Sequence, residues 1–205
     1  DTTAFYPTSG GQVHDLGTLG GAPVVDVFKQ GKIIVHVVPN APFKEGETVH
    51  GSIDKERRFQ LAQHHTATHL LNGLSKKILG NHVWQAGAAK FTDKARQDIT
   101  HFENLTEQQV RDLENMANEL IQKDAIVTKS FLPRGEAEKK YGFALYQGGV
   151  VPGKNLRIVE IEGIDVEACG GTHLNRLSEI GQVKSIKSQK IQDGIVRLEY
   201  VAGNA

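Results

Sequence analysis

Two pairs of candidate metal ligands, far apart in the chain, place the strongest constraint on how this sequence folds. His65 and His69 are four residues apart in a segment of helical periodicity, and Cys169 and His173 are four apart in a glycine-rich segment. Four residues turn an α-helix through about 400°, so the first two imidazoles lie on one face. The four side chains together form a donor set that zinc binds tetrahedrally. We therefore predict that the fold brings a helix and a loop together around one Zn²⁺ ion.

Each pair taken alone has a simpler reading. A histidine pair at this spacing is often incidental, and the adjacent His64 points about 100° away from the pair and is given no role. A lone cysteine is often a small buried hydrophobic residue. Thr66 follows His65, where a His-Glu-x-x-His metallopeptidase has its glutamate, so that class is disfavoured. A purely structural zinc site stays open, because four protein ligands would leave no position for water.

Composition excludes other classes of protein. The 205 residues include 24 Lys plus Arg and 24 Asp plus Glu, so a nucleic-acid partner would be held by local patches rather than by a global positive field. No apolar run approaches the roughly 18 residues that a membrane span requires. The single cysteine and the absence of a signal-peptide pattern predict a cytoplasmic protein. The start at Asp1 without Met suggests a fragment of a longer polypeptide.

The pattern of strands and helices changes near Arg58. Residues 1–58 predict short strands at 24–28, 33–38 and 48–53, with glycine-rich loops before the first strand and at 17–21. Residues 59–205 predict helices at 59–79, after a capping box of Thr106 and Gln109, and around 133–140, and strands at 125–132, 156–161, 164–168, 183–191 and 195–201. We predict an α+β fold, with a small β-barrel-like N-terminal subdomain (1–58) and a mainly antiparallel sheet covered by helices (59–205).

Longer motifs surround the candidate ligands. They are Phe5-Tyr6-Pro7-Thr8-Ser9-Gly10-Gly11-Gln12, His65-Thr66-Ala67-Thr68-His69-Leu70-Leu71, Gly80-Asn81-His82-Val83-Trp84-Gln85 and Cys169-Gly170-Gly171-Thr172-His173. These motifs resemble the editing domain of alanyl-tRNA synthetases and the related freestanding AlaX proteins, whose zinc-containing module is shared with threonyl-tRNA synthetases. The resemblance spans nearly the whole chain. One departure is Leu177-Ser178-Glu179-Ile180-Gly181, where the family pattern begins with Thr-Gly.

The resemblance implies a zinc-dependent deacylase that hydrolyses seryl- or glycyl-tRNA(Ala), as part of an ATP-dependent alanine–tRNA ligase. A synthetic pocket sized for alanine cannot exclude glycine and rejects serine weakly, so a second site has to remove both products. The implied partners are the acceptor end of tRNA(Ala) carrying serine or glycine and the rest of the synthetase. A freestanding AlaX-type protein and a zinc-stabilised tRNA-binding module without turnover remain alternatives.

Five further residues are predicted at the site. The resembling motif sets Gln85 beside the substrate, as a substrate-binding and catalytic side chain. Thr68 and Gln12 are the next candidates for substrate contact. The backbone amides of Gly10 and Gly11 could approach a phosphate, although no Gly-Lys-Ser/Thr follows them as it would in a nucleotide-binding loop.

Six basic side chains are candidates for tRNA backbone contacts, namely Lys55, Arg57, Arg58, Lys184, Lys187 and Lys190. Such clusters are also common on solvated faces, so both readings stay open. No carboxylate stands out by its spacing, and the sequence therefore predicts no general base.

Overall fold

The structure is a computed structural model that describes residues 2–149 and 151–203. Its strands are β1 (Gly17–Leu19), β2 (Ala22–Val24), β3 (Asp26–Gln30), β4 (Ile33–Val37), β5 (Gly51–Ile53), β6 (Gln85–Lys90), β7 (Ala95–Thr100), β8 (Val127–Pro133), β9 (Asn155–Ile161), β10 (Asp165–Ala168), β11 (Val183–Gln192) and β12 (Ile195–Ala202). Its α-helices are α1 (Lys55–Leu79), α2 (Glu107–Lys123) and α3 (Arg134–Tyr141), with 3₁₀ turns at Gly142–Leu145 and Leu177–Ile180. The predicted α+β class is confirmed.

The N-terminal strands form two small antiparallel sheets around Phe5, Val24 and Val27. One sheet has the order β2-β1-β5 and the other is the β3-β4 hairpin, so in the described part of the chain these strands do not close into a barrel. The prediction of a loop at 17–21 was wrong in part, because β1 and β2 form a hairpin that turns at Gly20 and Gly21.

The later strands form two antiparallel sheets that α1 and α2 cover. The four-stranded sheet has the order β11-β12-β7-β6 and the three-stranded sheet has the order β10-β9-β8. The predicted hairpin around 192–194 is confirmed as β11 and β12. The sequence reading missed β6 and β7, whose residues are small or polar. Gln97 and Asp98 are nevertheless buried in β7, and Asp98 is paired with Arg197 of β12.

The helix ends follow local capping chemistry. α1 begins four residues before the predicted 59, because the side chain of Asp54 accepts a hydrogen bond from Arg57 N at 3.0 Å. It ends at Gly80, as predicted. α2 has the predicted capping box of Thr106 and Gln109. No helix among the described residues has the length and apolar character needed to cross a membrane.

The main core lies between the helices and the four-stranded sheet. Leu70, Leu71 and Leu74 of α1 contribute to it together with Val196 and Leu198 of β12. The whole stretch of α1 from residue 61 to 75 is buried, including its polar side chains. The division into 1–58 and 59–205 stays a prediction, and α1 begins on the N-terminal side of it.

Candidate active site

Helix α1 carries the first pair of candidate ligands into the interior. His65 and His69 are each only 2% exposed and lie within its buried stretch. His64 is also buried, but its Nδ1 lies 2.6 Å from the backbone oxygen of Phe91 and it belongs to no metal-capable group. The helical spacing thus separates His64 from its neighbours, as the sequence predicted.

The second pair lies in the loop that follows β10. Arg157 holds this loop, because its Nη1 donates to the backbone oxygens of Cys169 at 2.7 Å and Gly171 at 2.9 Å. A Cβ atom on Gly171 would lie 2.0 Å from Cε1 of His65. Only glycine at this position therefore lets the loop come this close to α1.

The structure brings the two pairs together. Sγ of Cys169 lies 3.4 Å from Nε2 of His65 and 3.4 Å from Nε2 of His173. The candidate ligand atoms of four residues all lie within 4.8 Å of one another, and these residues are His65, His69, Cys169 and His173. We call these four residues the ligand cluster. Three imidazole nitrogens and a sulfur at this separation match the donor chemistry of a tetrahedral divalent cation.

Gln12 fixes the orientation of His65. Its Oε1 accepts hydrogen bonds from Thr172 N at 3.1 Å and Thr172 Oγ1 at 3.1 Å, and it lies 2.7 Å from Nδ1 of His65. A backbone amide can only donate, so the Gln12 atom facing Thr172 has to be the oxygen. Nδ1 of His65 then carries the proton, which leaves Nε2 free to bind a metal.

The other two histidines of the cluster repeat this arrangement. Nδ1 of His173 lies 3.4 Å from Oγ1 of Thr66, which also accepts from Leu174 N at 3.1 Å. Nδ1 of His69 lies 3.4 Å from Oδ2 of Asp165. In each of the three rings Nδ1 therefore faces a polar partner outside the cluster.

Two carboxylates beside His69 were missed by the sequence reading. Asp165 approaches Nδ1 of the ring, and Oε2 of Glu167 lies 3.4 Å from its Nε2. Alternate residues of a strand share a face, so Asp165 and Glu167 point the same way from β10, and Cys169 follows directly after the strand ends. That spacing was a usable signal in the sequence once β10 had been predicted.

The electrostatic surroundings differ between the two ends of the cluster, which are the His65 end and the His69 end. Burial, reinforced by the nearby Lys90 ammonium, lowers the pKa of His65 well below its usual value. Burial also opposes the charged form of His69, but the carboxylates of Glu167 and Asp165 outweigh it and raise the pKa of His69 well above its usual value. Burial in turn raises the pKa of Glu167 to about 8. The His69 end therefore favours positive charge.

A cavity of about 620 Å³ opens beside the ligand cluster. Its wall includes His65, His69 and Cys169, and also Glu167 and Gln85. This volume falls within the range of about 300–1,000 Å³ that is typical of small-ligand pockets.

The glycine turn at residues 10–11 forms another part of that wall and is held by Lys90 of β6. Lys90 donates from its backbone N to Gly11 O at 2.7 Å and from Nζ to Gly10 O at 3.1 Å. Gly11 has a φ of 75°, and a Cβ there would lie 2.1 Å from the backbone oxygen of Ala88. The turn therefore lies directly on β6 and delivers Gln12 to His65. Lys90 is a further cavity residue that the sequence reading missed.

The structure treats Gln85 and Thr68 differently. Gln85 lines the cavity, and its buried Oε1 has no hydrogen-bond partner within residues 2–149 and 151–203. Thr68, predicted beside the substrate, lies instead in the packing between α1 and β12. Its hydroxyl donates to His64 O at 2.8 Å and lies 2.5 Å from Oη of Tyr200. That prediction is corrected, because the side chain faces the sheet and its hydroxyl is already engaged.

Gln12 is also reassigned by its contacts. It was predicted to reach the substrate, but it is fully buried and does not belong to the cavity wall. Its contacts are with His65 and Thr172, as described above. Gln12 is therefore a positioning residue for a candidate ligand.

Two of the six basic residues are taken up by the fold. Arg57 donates from Nε and Nη2 to His14 O, and Arg58 is paired with the buried carboxylate of Asp15. These contacts attach the N-terminal segment to the first turns of α1 and engage part of each guanidinium group. The tRNA contacts of both arginines stay a prediction. Lys184 is paired with Glu114 at an exposed position.

Two parts of the chain match family models of tRNA synthetases. Residues 156–199 match the family described as the threonyl and alanyl tRNA synthetase second additional domain. Residues 1–57 match the family described as class II (A) tRNA synthetases.

Alanine–tRNA ligases are similar to the chain over nearly its whole length. The relative from Methanococcus maripaludis strain C7 is 49% identical over 204 residues, which are 99% of this chain and 23% of the relative. Relatives from Thermococcus kodakarensis and Ignicoccus hospitalis are 50% and 52% identical, over 100% and 99% of the chain and 23% of each relative. The chain thus spans about a quarter of the length of these relatives. It is related throughout to one region of alanyl-tRNA synthetases that includes their second additional domain, and this relationship confirms the resemblance carried by its motifs.

Proposed function

We propose that this chain hydrolyses the ester bond of seryl-tRNA(Ala) and glycyl-tRNA(Ala), the editing activity of an alanyl-tRNA synthetase. The observation that carries the proposal is that three members of the ligand cluster, His65, His69 and Cys169, lie in the wall of a cavity. A buried structural metal site needs no cavity beside it, whereas a hydrolytic site needs room for an aminoacyl ester. Since the substrate is a charged tRNA, we expect the activity in the cytoplasm.

The four residues of the ligand cluster would hold zinc. Sulfur and imidazole nitrogen are ligands that zinc prefers, and the Gln12 contact leaves Nε2 of His65 free to coordinate. When bound, zinc supplies a Lewis acid that polarises an ester carbonyl or lowers the pKa of a bound water to about 7. Either role would need an open coordination position, which would be provided if one of the four ligands yielded or if zinc took a fifth ligand.

Glu167 is the group best placed to move a proton. Its carboxylate lies in the cavity wall, and Oε2 is 3.4 Å from Nε2 of His69. A general base has to be within reach of the attacking water, and we assign this role to Glu167 because it borders both the cavity and the ligand cluster. Proton transfer assisted by the ribose hydroxyl of the tRNA is the alternative that needs no side chain.

Gln85 supplies selectivity in this proposal. Its buried Oε1 has no hydrogen-bond partner among the residues that the structure describes and can accept a hydrogen bond from the serine hydroxyl. Alanine would leave that oxygen unpaired, and a buried unpaired acceptor costs about 1–3 kcal/mol. Glycine has no hydroxyl, so its acceptance depends on size.

The test is hydrolysis of seryl-tRNA(Ala) by the purified chain with and without a zinc chelator. We expect turnover that the chelator abolishes and that added zinc restores. Full turnover in the metal-free chain would contradict the role of the ligand cluster.

A second candidate is a zinc-stabilised tRNA-binding module. Four protein donors that lie within 4.8 Å of one another can saturate a zinc ion and leave no position for water. This reading predicts zinc-dependent folding and tRNA binding without turnover. The same assay separates it from the deacylase.

A further inference from the structure

A line of buried polar side chains runs from the four-stranded sheet to the ligand cluster. Nε2 of Gln97, on β7, donates to Oδ1 of Asn72, on α1, at 3.0 Å. Nδ2 of Asn72 then donates to Oε1 of Glu167 at 2.9 Å and to Oδ1 of Asp165 at 3.3 Å. Gln97 and Asn72 are both fully buried. Neither side chain lines the cavity, so neither can touch a substrate there.

Asn72 is oriented by the groups on both sides of it. It turns its amide nitrogen towards Asp165 and Glu167, whose oxygens accept from it. Its oxygen is then left facing Gln97, which donates to it. Gln97 therefore holds the orientation in which Asn72 serves both carboxylates.

The carboxylate oxygens that Asn72 does not bind face His69. Oδ2 of Asp165 lies 3.4 Å from Nδ1 of the ring, and neither of these buried atoms has a hydrogen-bond partner among the described residues. Oε2 of Glu167 lies 3.4 Å from Nε2. The position of His69 thus depends on two carboxylates whose other oxygens are held by one amide.

We propose that Asn72 and Gln97 are positioning residues for the metal site, acting through Asp165 and Glu167 on His69. The inference rests on the proposed function, since it needs the ligand cluster to bind a metal. Outer partners of metal ligands change metal affinity by about 10–100-fold when they are removed. A burial role alone would change stability without changing the ligand field of the bound ion.

The test compares Asn72→Leu and Gln97→Met with the parent chain and with Gln63→Met. Gln63 is a buried glutamine of α1 that donates to the backbone oxygens of Glu179 and Ile180, so it controls for the loss of a buried amide. Zinc affinity is measured by competition with a chelator, and cobalt(II) absorption reports the ligand geometry. We expect about 10-fold or greater loss of zinc affinity and an altered cobalt spectrum in the first two variants. Gln63→Met should keep both at parental values.

A folded Gln97→Met or Asn72→Leu chain with parental affinity and a parental cobalt spectrum overturns the inference. Because a buried variant can fail to fold, a second measurement uses the parent chain alone. Zinc is titrated while the side-chain amide signals are followed by ¹⁵N NMR, and the Asn72 signals should shift while the Gln63 signals do not. Unshifted Asn72 signals on zinc binding would equally overturn it.

These readouts are independent of turnover. If the zinc-loaded parent chain has no deacylase activity, the proposed function is wrong. The zinc affinities and cobalt spectra still test the roles of Asn72 and Gln97. If turnover is normal but the spectra of both variants are unaltered, the proposed function stands and the positioning roles of Asn72 and Gln97 are wrong.

Discussion

The two ends of the ligand cluster are held by different chemistry. At one end a neutral amide, Gln12, fixes His65, whose pKa is lowered by burial. At the other end two carboxylates flank His69, and they overcome burial to raise its pKa. The histidines are one helical turn apart, so the helix alone cannot account for the difference. It comes from the elements packed on each side, the glycine turn at residues 10–11 and strand β10.

This difference separates two tasks within one site. A neutral partner orients a ring without adding charge, whereas carboxylates also stabilise a nearby cation. The amide end comes from the first 20 residues of the chain, and the carboxylate end comes from the same strand that leads to Cys169. The N-terminal segment is therefore part of the site and not only a neighbour of it.

The largest expected effect is that of Cys169→Ala. This variant removes the only sulfur ligand of the cluster and affects metal binding at both of its ends. Zinc affinity should fall by more than about 100-fold, beyond the loss typical of an outer partner. Chelator competition measures it, with circular dichroism to confirm that the variant is folded. Parental zinc affinity in the folded variant would show that the cluster is not the metal site.

Next in size is Gln85→Met, which changes the cavity without touching either end of the cluster. Seryl-tRNA(Ala) hydrolysis should lose about 1–3 kcal/mol in transition-state stabilisation, because the hydrogen bond to the serine hydroxyl is removed. Glycyl-tRNA(Ala) should be affected less, and alanyl-tRNA(Ala) hydrolysis should stay low or rise slightly. The measurement is kcat/KM on all three esters at equal zinc occupancy. Equal losses on serine and glycine would assign Gln85 a general supporting role.

Gln12→Met tests the amide end directly. The variant removes the acceptor that fixes the His65 tautomer, so zinc affinity should fall by about 10-fold. Gln60→Met is the matched control, because Gln60 donates to Ala202 O at 2.7 Å and lies on the same helix as His65. Unchanged affinity in Gln12→Met, measured against this control, would remove the contrast between the two ends.

The smallest effect concerns a charge outside the cluster, at the end of α2. Hydrogen bonding to Ser178, helped by Arg176, lowers the pKa of Asp124 to about 2. A lowered pKa stabilises the folded state above the unfolded value of about 4, and that contribution is lost as pH falls towards 2. Asp124→Asn should therefore lower Tm at pH 6 and differ less from the parent as the pH approaches 2. Asparagine tolerates the left-handed conformation of this residue, whose φ is 57°, so the variant isolates the charge.

Zinc affinity should not change in Asp124→Asn. A change would mean that the two ends of the cluster respond to distant charge, and the contrast between them would then need another explanation. Thermal melts across pH and one chelator titration provide both measurements.

Much of the fold could be predicted from local patterns. Helical periodicity and Gly80 predicted most of α1, and the capping box predicted the start of α2. Strands β6 and β7 could not be found in this way. Most of their residues are small or polar. A buried polar residue among them depends on a partner in another element, as Asp98 does on Arg197. Period-2 patterns detect apolar faces and do not detect such pairs.

In the candidate site, too, local spacing could be predicted and contacts between distant residues could not. Helical spacing placed His65 and His69 on one face, and the Cys169–His173 loop was recognisable by its glycines. Thr68 was misjudged because it lies in the same motif as the histidines while its hydroxyl faces Tyr200. The intramolecular contacts of Arg57 and Arg58 could not be predicted, because the partners that engage them, His14 O and Asp15, lie far away in the sequence.

The sequence by itself determined the identity of the four candidate ligands and their arrangement in two pairs. Local geometry is enough for that, since four residues span one helical turn or one tight loop. Only the tertiary structure decided which side chains surround these ligands from outside the cluster. Gln12, Asn72 and Asp165 come from separate parts of the chain and meet around the histidines only when the N-terminal turn, α1 and β10 pack together. Burial then gives each of these contacts its strength, because water no longer competes for the same hydrogen bonds.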